Sequence, residues 1–427
     1  MKNIFRRVHL PYKIMLAVNL SFLLLAFILD TPANIIDGFI KIITSPSILV
    51  TDYIYIGGIG AALLNVSIAG FVCVFTFIFS GLAPTGATIM GLWLTAGFAF
   101  FGKNVFNMLP LTFGVWLYAK YRREPFINYS TAAVLVATLS PVVSATLTPF
   151  VSEVSFLGIL SRPIGVLLGV LFGFIVGFIF PAISTATVQA HGGYSLYNMG
   201  FSGGLIAVLV ATLFKSMGVR IAQVDLWGEG HNLSMAILLY AISAAMFCCG
   251  LIGGAKKNLA GFIKIFKHSG RLVTDFYFLY GNSVYINMAV LCAFSTTLVL
   301  VFGGQINGTV LAGIFTIVGF GSFGKHLKNI LPILIGAIIS ISANQWDFAS
   351  PANIMTILFS TTLAPIAGQF GWFWGIIAGF LHVNVARHVG LLNGGLNLYN
   401  NGFAAGLVAM FLLPIINVFR KDKTDET

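Results

Sequence analysis

The sequence predicts an all-α integral membrane protein made of two inverted-topology repeats, with about 10–14 transmembrane helices, some broken or re-entrant. Three observations predict it. Hydrophobic residues make up 58% of the chain and charged residues 8%, with a mean hydropathy of +0.96. A soluble domain carries roughly 25% charge, so this chain could not cover a water-facing surface. Second, the sequence contains itself twice. Third, basic residues alternate between the two copies in the way that opposite orientations require.

The repeat is read from matches in one order at nearly constant offset. Gly38-Phe39-Ile40-Lys41-Ile42 recurs as Gly261-Phe262-Ile263-Lys264-Ile265, and Val50-Thr51-Asp52-Tyr53 as Val273-Thr274-Asp275-Phe276. Asn65 matches Asn287; Gly102-Lys103, Asn107 and Leu109-Pro110 match Gly324-Lys325, Asn329 and Leu331-Pro332. After a deletion, GGYSLYNMGFSGGL at 192–205 matches GGLNLYNNGFAAGL at 394–407. The expected domains are 1–225, a first membrane repeat, and 226–427, a second and inverted one.

Each half offers seven apolar runs. The first, near 14–29, follows a basic stretch and precedes Asp30-Thr31-Pro32 without a small-residue cleavage site, which predicts a spanning helix and not a signal peptide. Amphipathic pieces at 34–44 and 258–267 read as interfacial helices. Runs follow near 56–80, 86–101, 104–119, 130–150, 163–183 and 194–215. In the second half they lie near 232–253, 279–303, 308–323, 327–342, 350–368, 371–386 and 394–417. The short third and fourth runs, parted by the Gly-Lys step, suit a broken helix or a hairpin. Either count of spans per half is odd, so the second half must lie upside down.

Charge tests that orientation. Lys2, Arg6, Arg7 and Lys13 open the chain, whereas 216–231 has only Arg220 beside Asp225 and Glu229. The 30–50 loop has only Lys41, but its counterpart has Lys256, Lys257, Lys264, Lys267 and Arg271. Lys120, Arg122 and Arg123 have no basic counterpart at 343–348, and the tail carries Arg420, Lys421 and Lys423. Cytoplasmic loops hold the excess Lys and Arg. The expectation is a multi-pass protein of the plasma membrane with both termini cytoplasmic. The net charge of +11 belongs to this pattern and does not point to nucleic acid.

Polar residues at membrane depth are costly and usually functional. Thr51-Asp52 and Thr274-Asp275 each precede an apolar run, where they could cap a helix or line a pathway. Lys103 and Lys325 could attract an anion, pair with Asp52 or Asp275, or snorkel. Asn107 and Asn329, with the carbonyls freed by Leu109-Pro110 and Leu331-Pro332, suit a small hydrogen-bonding solute. Leu196-Tyr197-Asn198 and Leu398-Tyr399-Asn400 place Asn twice at the same point of an apolar helix, and that amide needs a helix or a solute as partner. His382, Arg387 and His388 read as a loop on the outer surface. Cys73, Cys248, Cys249 and Cys292 lie in apolar runs without metal-ligand spacing and are expected to be buried thiols. With no paired-carboxylate, nucleophile or phosphate-loop constellation, an enzyme is not expected.

The two Leu-Tyr-Asn segments with their downstream Gly-Leu, the Leu-Pro steps and the inverted duplication resemble the urea transporter fold. That resemblance implies five spans and a re-entrant helix in each half. The same fold is implied for the Nqr and Rnf membrane subunits, the sodium-pumping and Rnf-type electron-transfer complexes. Those carry flavin on the Thr of a Ser/Thr-Gly-Ala-Thr motif, to which Thr85-Gly86-Ala87-Thr88 is similar. Overall the chain is most similar to an uncharacterised bacterial multi-pass family known only as a domain of unknown function.

The expected function is a channel or transporter for a small polar solute, urea-like or otherwise hydrogen-bonding, passing between the halves. Asn198 and Asn400 would contact it beside Tyr197 and Tyr399, with Asn65 and Asn287 near. One alternative is an ion-coupled carrier of a small anion using Asp52, Asp275, Lys103 and Lys325. The other is a redox subunit with flavin on Thr88, although no cofactor is otherwise expected. Expected partners are the lipid bilayer and a small-molecule or ion substrate. A homo-oligomer is compatible with the sequence, and no nucleic acid is expected.

Overall fold

The computed structural model describes residues 9–147, 161–216, 221 and 224–419. Among them nine helices are long and apolar enough to cross a membrane. They are Leu10–Leu29, Tyr53–Ser80, Phe126–Leu147, Ile164–Ala190, Asn198–Ser216, Asn232–Leu251, Ser283–Val301, Trp372–Asn393 and Asn400–Phe419. Gly86–Phe98, Gly308–Phe320 and Leu327–Ala343 are shorter apolar helices. The chain is an all-α, multi-pass membrane protein. Lys2, Arg6, Arg7, Arg220, Arg420, Lys421 and Lys423 lie outside the described residues.

The third and fourth runs are pairs of helices that meet inside the protein. Gly86–Phe98 is followed by Val105–Arg122, and Gly308–Phe320 by Leu327–Ala343. The Gly-Lys step makes each break. Gly102 has φ +81° and Gly324 φ +107°, a region that side chains with a Cβ avoid. A Cβ on Gly324 would also stand 2.7 Å from the Gly270 carbonyl oxygen. The helices leaving the breaks start on reciprocal caps. Asn104 and Asn107 exchange side-chain and backbone hydrogen bonds, and His326 and Asn329 do the same.

A helix that stops at membrane depth leaves carbonyls with no water to meet them, each costing several kcal/mol or about that order. Asn65 Nδ2 donates to the carbonyls of Ala99 and Lys103, both at 2.7 Å. Asn287 Nδ2 donates to those of Gly321 and Lys325, also at 2.7 Å. The opposite ends of the short helices are held by carboxylates far away in sequence. Asp52 accepts from Gly308 N (2.8 Å) and Gly228 N (3.0 Å) as well as from Ile54 N in its own helix (2.8 Å). Asp275 accepts from Gly86 N (2.8 Å) and from Phe278 N (2.9 Å). Thr51 keeps its hydroxyl local, donating to the Ile48 carbonyl, and Thr274 N donates to the Arg271 carbonyl.

Packing follows the same pairing. Leu10–Leu29 lies on Tyr53–Ser80, and Asn232–Leu251 on Ser283–Val301. Val105–Arg122 lies on the Ser161–Ala190 helix, and Leu327–Ala343 on Trp372–Asn393. Pro110 and Pro332 sit against Gly173 and Gly375, which have no side chain in the way. The largest contacts joining the early and late parts of the chain are Gly86–Phe98 on Gly308–Phe320, and Asn198–Ser216 on Asn400–Phe419. In the second, a Cβ on Gly200 would lie 3.0 Å from Gly402 Cα, so the backbones nearly touch.

The outer faces carry exposed Leu24, Ile28, Phe79, Leu209, Leu233 and Phe411, as a lipid-facing surface requires. The Pro32–Thr44 and Ala255–Ile265 helices bury Ile35, Ile42 and Ile265 and expose Ile36, Ile40 and Ile263. That two-sided apolar character suits a helix lying between protein and membrane surface. Cys73 and Cys292 are buried, but Cys248 is exposed and Cys249 half-buried, because one flank of Asn232–Leu251 faces outward. His382 corrects the expectation of an outer loop. It lies fully buried within Trp372–Asn393, bonded to Asn401 Oδ1 at 3.1 Å. Arg387 is in the same helix, over the Trp346 ring at 4.7 Å.

The caps are unequal, and a stability measurement should show it. Asp52 is fully buried and satisfies three backbone donors, whereas Asp275 is only partly buried. A buried donor left without an acceptor costs about 1–3 kcal/mol. Asp52→Ala is expected to lower the melting temperature of detergent-purified protein clearly more than Asp275→Ala. An equal drop would mean that the buried cap carries no special weight.

Candidate functional site

The two Gly-Lys steps turn their lysines inward, toward tyrosines from the opposite part of the chain. Lys103 Nζ donates to Tyr399 Oη at 2.5 Å and lies 4.7 Å from the centre of that ring. Lys325 Nζ donates to Tyr197 Oη and to Thr361 Oγ1 (2.7 Å), and lies 4.5 Å from the Tyr197 ring centre. A phenylalanine five residues before each lysine completes the cradle: Phe98 is 5.4 Å from Lys103 Nζ and Phe320 is 5.1 Å from Lys325 Nζ. Both lysines are completely buried. Among the described residues neither has a carboxylate within ion-pair distance; the ion pair found there joins Arg122 and Glu124. Aromatic faces and hydroxyls therefore surround both amino groups in place of counter-charges.

The tyrosines are fixed by backbone as well. Leu196 N and Tyr197 N donate to the carbonyl and hydroxyl oxygens of Thr362 (3.0 and 3.1 Å). Leu398 N and Tyr399 N donate to the same two atoms of Thr138 (2.9 and 3.2 Å). Each Leu-Tyr segment thus has its two free N–H groups satisfied by a threonine in a broken stretch of helix from the other end of the chain.

Next to the phenols lies a cavity of about 520 Å³. Its walls are mainly apolar: Met90, Leu94, Phe98, Phe320 and Phe359 with the two tyrosines. Phe98 and Tyr399 approach to 4.2 Å between ring centres, and Phe359 lies 5.8 Å from Phe98 and 6.1 Å from Tyr197. At one end the lining includes exposed Thr185 and Gln189, together with Leu272 and Phe323, so the cavity reaches the surface there.

The positions matching Leu272 and Phe323 in the repeat, Leu49 and Phe101, are not in the lining. That end is covered by residues 224–228. Val50 N donates to Val224 O (2.7 Å), Leu226 N to Val50 O (3.2 Å) and Asp52 N to Leu226 O (3.2 Å). Val50 is 5% exposed beneath this strap, whereas its counterpart Val273 is 87% exposed.

Of the residues singled out from sequence, Tyr197, Tyr399 and Asn198 line the cavity, and Lys103 and Lys325 stand behind the two phenols. Asn65, Asn287, Asn107, Asn329, Asp52, Asp275, Thr51 and Thr274 are not in its wall. Asn107 Nδ2 donates to Gly102 O and Ser144 Oγ (3.0 Å each), and Asn329 Nδ2 to Gly324 O (2.9 Å) and Ser269 O (3.2 Å). Both therefore fasten the breaks. Asn198 is occupied too: Nδ2 donates to Ser184 O (2.8 Å), and Oδ1 meets Thr187 Oγ1 and His191 Nε2, each at 2.9 Å. Asn400 Oδ1 accepts from Asn393 Nδ2 at 2.8 Å. Its neighbour Asn401 is the one in the cavity wall. Thr88 is buried in a capping box, its hydroxyl donating to the Thr85 carbonyl at 2.9 Å.

Phe359, Thr361, Thr138 and Thr362 were not found from the sequence. A signal existed: Leu135-Val-Ala-Thr-Leu-Ser-Pro141 matches Phe359-Ser-Thr-Thr-Leu-Ala-Pro365. Likewise Phe98 and Phe320 precede their Gly-Lys steps at equal spacing.

A family model matches residues 31–216 and 255–418. The chain belongs to the family described as Protein of unknown function (DUF1576). The two family stretches contain both Gly-Lys steps, both Leu-Tyr segments and both capping aspartates. No curated protein and no solved structure matches the chain.

The asparagine bonds make a contrast measurable. Asn198→Leu leaves His191 Nε2 without its partner and takes one bond each from Ser184 O and Thr187 Oγ1, which still bond each other, a loss of about 1–3 kcal/mol in stability. Asn400→Leu removes one side-chain acceptor. Thermal denaturation of the purified variants should therefore rank Asn198→Leu as the more damaging; the reverse order would contradict the hydrogen-bond assignment.

Proposed function

We propose that this protein is a membrane carrier for a small anion, built from two inverted repeats, 1–225 and 226–427, with the substrate bound in the cavity between them. One observation carries the proposal. Two fully buried lysines stand behind the cavity tyrosines, and among the described residues no carboxylate lies beside either. A buried charge without a counter-charge is expensive at membrane depth, where cations generally mark a pathway. An anion seated at the phenols would offset both ammoniums, in a place where each charge interaction is only weakly screened. Arg271 at the open end, donating to Gly192 O at 2.8 Å, puts further positive charge near the entrance.

This favours the anion carrier over the small hydrogen-bonding solute expected from the asparagines. Asn198 already has partners for both ends of its amide. A carrier fits better than an open channel because one end reaches the surface while the strap at 224–228 covers the other. Alternating access requires that the two ends close in turn. Peeling the strap from Val50 and Asp52 would open the covered end. The excess of Lys and Arg in the loops supports an open end, with Arg271 and Leu272, that faces the cytoplasm.

Two experiments test this. In the first, purified protein is screened for thermal stabilisation by formate, acetate, benzoate and nitrate against urea, formamide and glycerol. Stabilisation is expected from anions and should be lost in Lys103→Met. Stabilisation by neutral solutes alone would overturn the anion assignment. In the second, single cysteines are labelled in intact cells by a membrane-impermeant reagent, with Cys248 replaced by Ser. A cysteine at Gln345 should react from outside and one at Arg122 should not. Equal reactivity would sink the inverted arrangement.

A further inference from the structure

Although the two lysine–tyrosine pairs match, they are not equally satisfied, and the difference gives the site a polarity. Lys325 has two acceptors, Tyr197 Oη and Thr361 Oγ1. At the position of Thr361 the first half has Ala137, which offers no hydroxyl. Among the described residues Lys103 Nζ therefore donates to Tyr399 Oη alone, although an ammonium has three hydrogens. Tyr399 Oη accepts that bond and shows no acceptor for its own O–H among the described residues. The Lys103 end is thus a buried cation with unused donors, next to a phenol whose hydrogen is free to turn toward the cavity. The Lys325 end has one unused donor fewer, because Thr361 Oγ1 takes a hydrogen there.

The walls add the second half of the description. A cavity of about 520 Å³ is far larger than a halide or nitrate needs; it lies within the usual range of roughly 300–1,000 Å³ for organic ligands. Phe98 packs on Tyr399 and Phe359 packs on Phe98, and Met90 adds a thioether to the same cavity wall. A small inorganic anion would lose its hydration against these groups and gain little in return. An aromatic body would bury its faces on them. We infer that the substrate is an organic monoanion with a flat apolar body, an aryl or similarly planar carboxylate, whose charged group docks at Lys103 and Tyr399 and whose ring lies among Phe98, Phe359 and Met90. The inference rests on the anion-carrier proposal and adds the substrate class and the end at which its charge sits.

The test uses full-length protein in detergent, with calorimetric binding of benzoate, acetate, chloride and benzamide. Benzoate is expected to bind at least about tenfold more tightly than acetate or chloride, and benzamide, which has the same shape without the charge, no better than acetate. Ala137→Thr is the discriminating variant, because it supplies Lys103 with the acceptor that Lys325 already has. It should weaken benzoate several-fold while leaving the melting temperature within a few degrees of the parent. Lys103→Met should remove benzoate binding, and Lys325→Met should weaken it less. Equal affinity for benzoate, acetate and chloride would overturn the planar-substrate inference and leave the anion carrier standing. Binding of benzamide with no anion bound would overturn both. Benzoate binding unchanged in Ala137→Thr, with Lys325→Met as damaging as Lys103→Met, would overturn the assignment of the charged end.

Discussion

Everything at the centre of this molecule depends on a backbone that stops being helical where water cannot reach it. Two short helices, Gly86–Phe98 and Gly308–Phe320, end inside the protein, and a membrane offers nothing to their last carbonyls. Asn65 and Asn287 satisfy those ends from neighbouring helices, and Asp52 and Asp275 satisfy the amides at the beginnings. Each aspartate reaches across to a helix more than a hundred residues away. The same bonds that solve a local solvation problem therefore lock the early and late parts of the chain together. They also place the Gly-Lys steps face to face with the Leu-Tyr segments.

Much of this was legible in the sequence because the constraint is chemical and leaves residues behind. A break needs a glycine in the left-handed region, a cap after it and an amide beside it. Gly102, Asn107 and Asn65 recur as Gly324, Asn329 and Asn287 in the same order. What sequence could not assign was the job of each polar group. Six asparagines looked like substrate contacts, yet Asn65, Asn287, Asn107 and Asn329 serve the backbone, and Asn198 serves its neighbouring helix. An Asn in an apolar run says only that a partner exists. Whether that partner is a carbonyl or a solute depends on distances between helices, which no spacing along the chain encodes.

The lysine–tyrosine pairs were hidden for a related reason. Lys103 and Tyr399 were both singled out, but nothing in the sequence joins residues nearly three hundred positions apart. The natural expectation was that a buried lysine seeks an aspartate. In the fold both aspartates are consumed by amide groups, which leaves the cations to rings and hydroxyls. Phe359 and Thr361 were missed because they sit in a stretch where helical and 3₁₀ turns alternate, so the apolar period that marks a helix face is blurred there.

The asymmetry of the proposed site lies where the matched halves disagree. Perfectly matched halves would give two equal ends, two equal lysines and no preferred way for a substrate to lie. Here Thr361 stands opposite Ala137, Phe359 opposite Leu135, and a strap covers Val50 while Val273 is open. Each difference is local and leaves the shared frame of caps and breaks untouched, so it could change without loss of the fold. The first sets which ammonium has donors to spare, the second thickens the aromatic wall on one side, and the third decides which end of the cavity meets the surface. Together they turn a nearly symmetric frame into a cavity with unequal lysines, a thicker aromatic wall on one side and one end at the surface.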